Sequence, residues 1–153
     1  LDVELDIIGD GPLRKELENE AECNPRLHLL GNIANEQLPD YLRTYAAFVL
    51  PSFYEGHPKT LIEAMSCGLP VITTNVPGIN NIVEHGETGW LCNTDANSLQ
   101  DAILKVLSDL DLQKRLGKNA RQYVLKHYSL DRAVKAELAI YQDILEKGTG
   151  TNV

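Results

Sequence analysis

Two carboxylates and a short cationic segment lie close together near the middle of the chain. Glu63 follows Glu55 after seven intervening residues, and Lys59 and Thr60 lie between them. If this segment is helical, Glu63 shares a face with Lys59 and Thr60, one turn further along. A carboxylate accepts hydrogen bonds from a vicinal diol, and the free amides of a helix start bind phosphate. These residues therefore predict a site for a ligand that carries both a phosphate and a diol.

The surrounding sequence predicts the elements that position these side chains. The apolar run 46–50 ends at Pro51, which is typical of a buried parallel strand. Pro58 suits the first position of a helix because it has no amide hydrogen to lose there. Gly68 can adopt the left-handed turn that ends this helix, and residues 71–73 predict the next strand.

The predicted helix start presents polar groups in a line. The amides of Lys59, Thr60 and Leu61 would have no acceptor within the helix and would point at the carboxyl end of the sheet. Glu63 would lie on one side of these amides and Glu55 on the other. The three features in line fit a ribose, a diphosphate and a sugar, which together make a nucleotide-sugar.

This stretch resembles the donor-binding signature of the family 4 retaining glycosyltransferases, which have the GT-B fold. From Glu55 onward the chain reads EGHPKTLIEAMSCGLPVI, and the family has two glutamates with the same separation. The resemblance implies that Glu55 contacts the donor sugar as the catalytic residue and that Glu63 binds the ribose hydroxyls. Many members have a glycine where this chain has Pro58, so the phosphate contacts must come from Lys59 onward.

Further donor contacts follow from the same resemblance. Gly56 and His57 lie in the signature loop, and Gly11 lies in the turn of IIGDGPLRKEL, which is on the donor side in the family. The backbone at Asn32 and Ile33 would lie near the nucleobase, and the alternative for these two residues is a plain strand–helix loop. The pattern G-x-G-x-x-G is absent, so the sequence does not support a dinucleotide fingerprint.

The composition limits the classes of partner. The chain has 153 residues, of which 43% are hydrophobic, and a formal net charge of −8. Its length suits one domain, and its charge argues against nucleic acid and against a polybasic membrane contact. No apolar run approaches the length of a membrane span, and no signal peptide is visible at the acidic start. The three cysteines have no metal-binding spacing, so we expect a reducing, cytoplasmic location, compatible with a peripheral membrane position of the full-length enzyme.

Alternating strand and helix patterns predict an α/β fold with a Rossmann-like parallel sheet flanked by helices. We expect a nucleotide-sugar donor-binding domain over residues 1–147 and a flexible tail over 148–153. Asn35, Asp95 and Ser129 are the predicted helix caps. The predicted strands are 1–9, 26–30, 46–50, 71–73 and 90–92, and the predicted helices start near 12, 36, 58, 77, 97, 112 and 130.

The resemblance covers nearly the whole chain but only the second half of a family member. The acceptor-binding N-terminal domain is expected to be absent, together with the first strand and helix of the donor domain. We therefore expect a gap in the sheet between the first strand and the Phe48 strand, or an edge covered by another chain. The implied activity is metal-independent and cofactor-independent retaining transfer of a sugar from a nucleotide-diphosphate sugar to an acceptor hydroxyl, with this chain inactive by itself.

Two other functions compete with this interpretation. A glycoside hydrolase also uses two carboxylates, but Glu63 is predicted to lie along a helix and not across a sugar from Glu55. A non-catalytic nucleotide-sugar binding module or a protein-interaction module is the remaining alternative. Taken singly, each glutamate is more simply a solvated surface residue. Their joint occurrence with Pro51-Ser52 and residues 67–70 favours a binding site.

Overall fold

The computed structural model describes residues 3–148 and contains five strands and six helices, which alternate over residues 5–74. This alternation confirms the predicted α/β class. The strands are β1 (Leu5–Ile8), β2 (Leu27–Gly31), β3 (Phe48–Leu50), β4 (Val71–Thr74) and β5 (Trp90–Cys92), and the helices are α1 (Arg14–Cys23), α2 (Leu38–Leu42), α3 (Lys59–Ser66), α4 (Ala96–Leu107), α5 (Leu110–His127) and α6 (Leu130–Gly148).

The strands form two separate parallel sheets. One sheet has the order β1-β2 and the other has the order β3-β4-β5. Because β1 and β3 are not hydrogen-bonded to each other, a gap divides the sheet between them. This gap was expected between the first strand and the Phe48 strand, and the observed strand orders confirm it.

The core lies on both faces of the β3-β4-β5 sheet. Successive residues of a strand point to opposite faces, and β4 places Val71 in one buried cluster and Ile72 in the other. Leu61 and Met65 of α3 are fully buried in the first cluster, and Leu116 of α5 is fully buried in the second. Helix α3, which carries the predicted site, is therefore held against the sheet by its own apolar face.

Aspartates cap two of the helices behind the sheet. Asp95 Oδ1 accepts a hydrogen bond from the Ser98 amide at 2.9 Å, as predicted for α4. Asp109 Oδ1 accepts one from the Leu112 amide at 2.9 Å, so α5 begins two residues before the predicted start at Leu112. For α6, the Ser129 carbonyl accepts from two helix amides, and its side-chain cap stays a prediction.

Helix α2 is shorter than predicted. A helix from 36 to 44 capped by Asn35 was expected, but α2 spans Leu38–Leu42 and no side chain caps it. Pro39 explains the later start, because a proline fits only the first turn of a helix. Pro12 likewise lies in the turn before α1, which begins at Arg14.

The predicted helix from Pro77 to Glu84 is wrong. Residues 77–82 form a series of turns, in which the amides of Ile79 and Asn80 both donate to the Val76 carbonyl. Gly78 has a φ of 90°, which an α-helix does not accommodate. The apolar spacing in this segment buries Ile79 against the core without a helix.

Burial is uneven along the chain. No residue of 3–31, a segment that we call the N-terminal unit, is fully buried. The side chains described in α6 are all exposed, including seven apolar ones: Leu130, Val134, Leu138, Ile140, Tyr141, Ile144 and Leu145. In the part of the chain that the structure describes, no helix is both long and apolar enough to cross a membrane.

Two predictions concern the ends of the chain. Of the predicted tail 148–153, Gly148 ends α6 and the other residues lie outside the described residues. Leu1 and Asp2 of the first predicted strand also lie outside them.

Candidate functional site

The loop from β3 to α3 carries the predicted site and ends in a tight turn at Pro58. Pro58 is fully buried and stands just before α3, with φ −77° and ψ 75°, so its predicted place inside the helix is wrong. These angles are those of an inverse γ-turn, in which the residue after the turn bonds to the residue before it. Accordingly, the Lys59 amide donates to the His57 carbonyl at 2.8 Å.

This turn changes the number of free amides at the helix start. Three were predicted, but the Lys59 amide is occupied by His57. The amides of Thr60 and Leu61 have no acceptor among the residues that the structure describes, and no side chain caps α3. Two unsatisfied amides with the positive end of the helix dipole behind them still suit an anion.

Glu63 lies beside Lys59 on one face of α3, as predicted. Lys59 Nζ lies 3.5 Å from Glu63 Oε1, and the two residues are four positions apart, about one turn of helix. The Lys59 side chain is 67% exposed and that of Glu63 is 30% exposed, so both can reach a ligand above the helix start. A cation, a carboxylate and two free amides therefore share a small surface.

Glu55 is half-buried in the loop, and the end of β4 holds that loop in place. The Thr73 hydroxyl donates to the Leu50 carbonyl at 2.8 Å, and the Thr74 hydroxyl donates to the Ser52 carbonyl. A Cβ placed on Gly78 would lie only 2.8 Å from the carbonyl carbon of Glu55 and closer still to its oxygen. The two threonine bonds and the Gly78 contact were not predicted from the sequence. The available signal was the presence of two threonines, Thr73 and Thr74, at the end of an apolar strand.

The remaining predicted site residues fall into two groups. Gly56 and His57 are exposed in the same loop as Glu55. Gly11 follows β1 and its amide donates to Asp10 Oδ1 at 2.8 Å, whereas Asn32 and Ile33 follow β2. Among the described residues, no hydrogen bond or ion pair joins these three to the β3–α3 loop or to α3. Their contact with a nucleobase or a phosphate stays a prediction.

A polar cluster that the sequence did not reveal lies between the two sheets. Asp6 on β1 accepts from Tyr45 Oη at 2.6 Å, and its other oxygen lies 2.8 Å from His28 Nδ1 on β2. The Tyr45 and His28 bonds lower the pKa of Asp6, and the bond to Asp6 raises the pKa of His28. Burial, together with the hydrogen bond from Tyr45 to Asp6, raises the pKa of Tyr45 to about 12.

A second surface feature lies away from the predicted site. An open pocket of about 520 Å³ is lined by residues of β5 and α4, among them Trp90 and Lys105, and by Asn75. None of the predicted site residues lines this pocket. Trp90 packs on the buried cluster around Ile72, which confirms its predicted packing role. In the described part of the chain, no three His, Cys, Asp or Glu side chains are grouped so as to hold a metal ion.

Comparison with known proteins identifies sequence relatives along nearly the whole chain. The family described as "Glycosyl transferases group 1" matches residues 1–123. N-acetyl-alpha-D-glucosaminyl L-malate synthase from Bacillus anthracis is 31% identical over 149 residues, which are 95% of this chain and 39% of that protein. The chain therefore spans about two fifths of the length of the curated relatives that it matches.

Solved structures show the same fold. Sucrose-phosphate synthase from Thermosynechococcus elongatus superimposes with a TM-score of 0.86 and 30% identity, over 94% of this chain and 39% of that one. The Anabaena protein Alr3699/HepE, solved in complex with UDP-glucose, superimposes with a TM-score of 0.76 and 23% identity, over 96% of this chain and 41% of that one. At the latter identity the likeness concerns the fold alone.

Proposed function

This chain belongs to the glycosyl transferases group 1 family, and from that membership we propose that it binds the nucleotide-sugar donor of a retaining sugar transfer. Its α/β fold is that of the C-terminal half of the GT-B glycosyltransferases. The observation that carries the proposal is the arrangement at the start of α3, where two free amides and the Lys59 cation lie beside Glu63. Glu55 stands on the loop that leads into this helix.

Each group has a role that follows from its chemistry. Glu63 accepts two hydrogen bonds from the ribose diol, and the amides of Thr60 and Leu61 bind the diphosphate with Lys59 as the cation. Glu55 contacts the donor sugar. Since the amides and the cation are fixed before the sugar–phosphate bond breaks, they stabilise the negative charge that develops on the leaving diphosphate. The UDP-glucose complex of a protein with the same fold supports this class of ligand.

The acceptor side of the reaction is proposed to lie elsewhere in the whole protein. The relatives are more than twice as long as the part of them that this chain matches. Transfer to a hydroxyl requires both reactants to be held together and shielded from water. We therefore assign donor binding to this chain and transfer to the whole enzyme. We further propose that the Lys59 cation and the amides at the start of α3 stabilise the diphosphate without a metal or cofactor.

Calorimetric titration of this chain with a panel of nucleotide-sugars tests the proposal. The panel contains UDP-glucose, UDP-N-acetylglucosamine, GDP-mannose and ADP-glucose, each paired with its nucleoside diphosphate. We expect saturable binding of at least one pair, weakened at least about tenfold by Glu63→Ala, because two charge-assisted hydrogen bonds are lost.

A matched control separates the ribose contact from general helix effects. Arg14 and Glu18 form another i,i+4 pair on α1, at 2.8 Å, so Glu18→Ala removes a similar pair without touching α3. We expect Glu18→Ala to bind the panel like the wild type. If no nucleotide of the panel binds, the proposal is wrong and the protein-interaction alternative gains support. Binding without any turnover by the whole protein would favour a non-catalytic nucleotide-sugar module.

A further inference from the structure

We propose that Thr74 and Gly78 are positioning residues that fix where Glu55 stands. Thr74 ends β4, and Gly78 lies in the turn that follows it. The inference rests on the proposed function, since Glu55 is assigned there to the donor sugar. Neither residue is given a contact with the ligand, so their effect passes through the backbone of the loop from β3 to α3.

Thr74 extends the contact between β4 and this loop beyond the sheet. The parallel pairing of β3 with β4 ends where Leu50 lies opposite Thr73. Past that point the Thr74 hydroxyl, on a side chain that is only 2% exposed, donates to the Ser52 carbonyl. A buried hydroxyl is costly to leave unpaired, so this bond ties the start of the loop to β4.

Gly78 supports the loop at Glu55, three residues after Ser52. Its φ of 90° is accessible mainly to glycine, and its Cα faces the backbone of Glu55. A Cβ here would lie 2.8 Å from the Glu55 carbonyl carbon, closer to its oxygen, and 3.6 Å from the Gly56 oxygen. Any side chain at Gly78 therefore pushes Glu55 away.

The turn that contains Gly78 is itself anchored in the core. Val76 is 5% exposed and Ile79 is fully buried, so Gly78 lies between two buried residues. The Glu55 side chain, by contrast, makes no hydrogen bond or ion pair with any described residue. Its orientation thus depends on its backbone, which is held by Thr74 through Ser52 on one side and by Gly78 directly on the other.

The test compares sugar-dependent binding in two variants, Gly78→Ala and Thr74→Val. The measurement uses the nucleotide-sugar that binds the wild type. Its affinity is divided by the affinity for the matching nucleoside diphosphate, and this ratio reports the contribution of the sugar. We expect each variant to lower this ratio, by at least about tenfold for Gly78→Ala, because a displaced Glu55 loses its charge-assisted hydrogen bond to the sugar. The affinity for the nucleoside diphosphate alone should change less than about threefold, since Leu61 and Met65 anchor α3 in the core.

Three control variants isolate positioning from strain and from overpacking. Gly86 also has a positive φ, 77°, but no atom lies within 4 Å of its Cβ position, so Gly86→Ala adds strain alone. Gly117→Ala adds a close contact, 3.1 Å from the Gly68 carbonyl carbon, far along the chain from Glu55. Thr74→Ser keeps the hydroxyl that Thr74→Val removes. All three should keep the wild-type ratio.

The outcomes are distinguishable. A wild-type chain that binds no nucleotide-sugar overturns the proposed function and this inference with it. If the wild-type chain shows sugar-dependent binding and Gly78→Ala and Thr74→Val leave the ratio unchanged, the inference alone is overturned. An equal fall in the ratio for Gly86→Ala or Gly117→Ala also overturns it, because strain or overpacking would then suffice. If Gly78→Ala does not fold, as judged by circular dichroism, the Thr74→Val and Thr74→Ser pair decides.

Discussion

Tyr45 donates its phenol hydrogen to Asp6 over 2.6 Å, although the two residues are 39 positions apart in the sequence. Asp6 lies on β1 in the N-terminal unit, and Tyr45 lies just before β3 in the other sheet. The bond therefore spans the gap that divides the strands. Tyr45 also packs against the buried cluster around Leu61, which connects that bond to the main core.

Removing the hydroxyl should weaken this connection measurably. A hydrogen bond to a charged group contributes about 1.5–3 kcal/mol, and partial exposure reduces this, so we expect Tyr45→Phe to lower the free energy of unfolding by about 1 kcal/mol. Urea unfolding followed by circular dichroism measures the change. Tyr54→Phe is the control, because Tyr54 is 74% exposed and bonds to no described residue. Equal stabilities of the two variants would contradict the prediction.

The His28–Asp6 contact should give the stability a pH optimum on the acidic side. The folded pKa of His28 is raised, so its contribution is complete below about pH 6.5 and is lost as the pH rises through the folded pKa. The folded pKa of Asp6 is lowered, so its contribution is complete above about pH 3.9 and is lost as the pH falls through the folded value. The pair therefore contributes most between these two limits.

Thermal unfolding midpoints at pH 5.5 and pH 8 test this dependence. We expect the wild type to lose stability between these values and His28→Gln to lose less, because the variant has no imidazole to titrate. His57→Gln is the control, since His57 is exposed and has no carboxylate partner among the described residues. A pH dependence that is the same in His28→Gln as in the wild type would rule out this role for His28.

Glu55 should affect the turnover of the whole enzyme and not its affinity for the nucleoside diphosphate. Glu55→Ala in the whole enzyme should lower turnover while leaving the affinity for the free nucleoside diphosphate nearly intact, because Glu55 is assigned to the sugar alone. Steady-state rates and product-inhibition constants measure the two quantities. Glu84→Ala provides a carboxylate control, since Glu84 is exposed and its side chain bonds to no described residue. Equal losses in turnover and affinity would mean that Glu55 supports the loop rather than the sugar.

Gly117 should not tolerate a methyl group, although alanine favours helices. Gly117 lies in α5 against the Gly68 turn, and a Cβ there would lie 3.1 Å from the Gly68 carbonyl carbon and closer to its oxygen. Overpacking costs about 1–3 kcal/mol, whereas the gain in helix propensity is about 1 kcal/mol. We expect Gly117→Ala to be destabilised by up to about 2 kcal/mol in urea unfolding. Gly56→Ala, with open space around its Cβ position, should be near neutral.

Local patterns predicted those parts of the site that depend on neighbours in sequence. Lys59 and Glu63 are four residues apart, and helical geometry alone places them on one face. The left-handed turn at Gly68, with a φ of 81°, and the Asp95 cap follow from equally local preferences. The divided sheet was anticipated from the strand order of the resembling family.

Two features of the site could not be predicted in this way, the turn at Pro58 and the contact of Gly78 with Glu55. Proline fixes φ but not ψ, so the turn that occupies the Lys59 amide was not evident from Pro58. The spacing of Ile79, Ile82 and Val83 satisfies a helical period, but the contact of Gly78 with Glu55 requires a turn there. That contact joins residues that the sequence separates by more than 20 positions.

The lack of a buried side chain in the N-terminal unit has a consequence for how the molecule opens. Burial of apolar side chains is what makes segments unfold together, and the unit shares no buried cluster with β3, β4 and β5. The amides of β1 and β2 should therefore exchange with solvent deuterium faster than those of β4, whose four residues are all buried. Proteases should cut within 3–31 before they cut within β3, β4 or β5. The sheet that carries the proposed donor site then retains its structure while the β1-β2 sheet opens and closes.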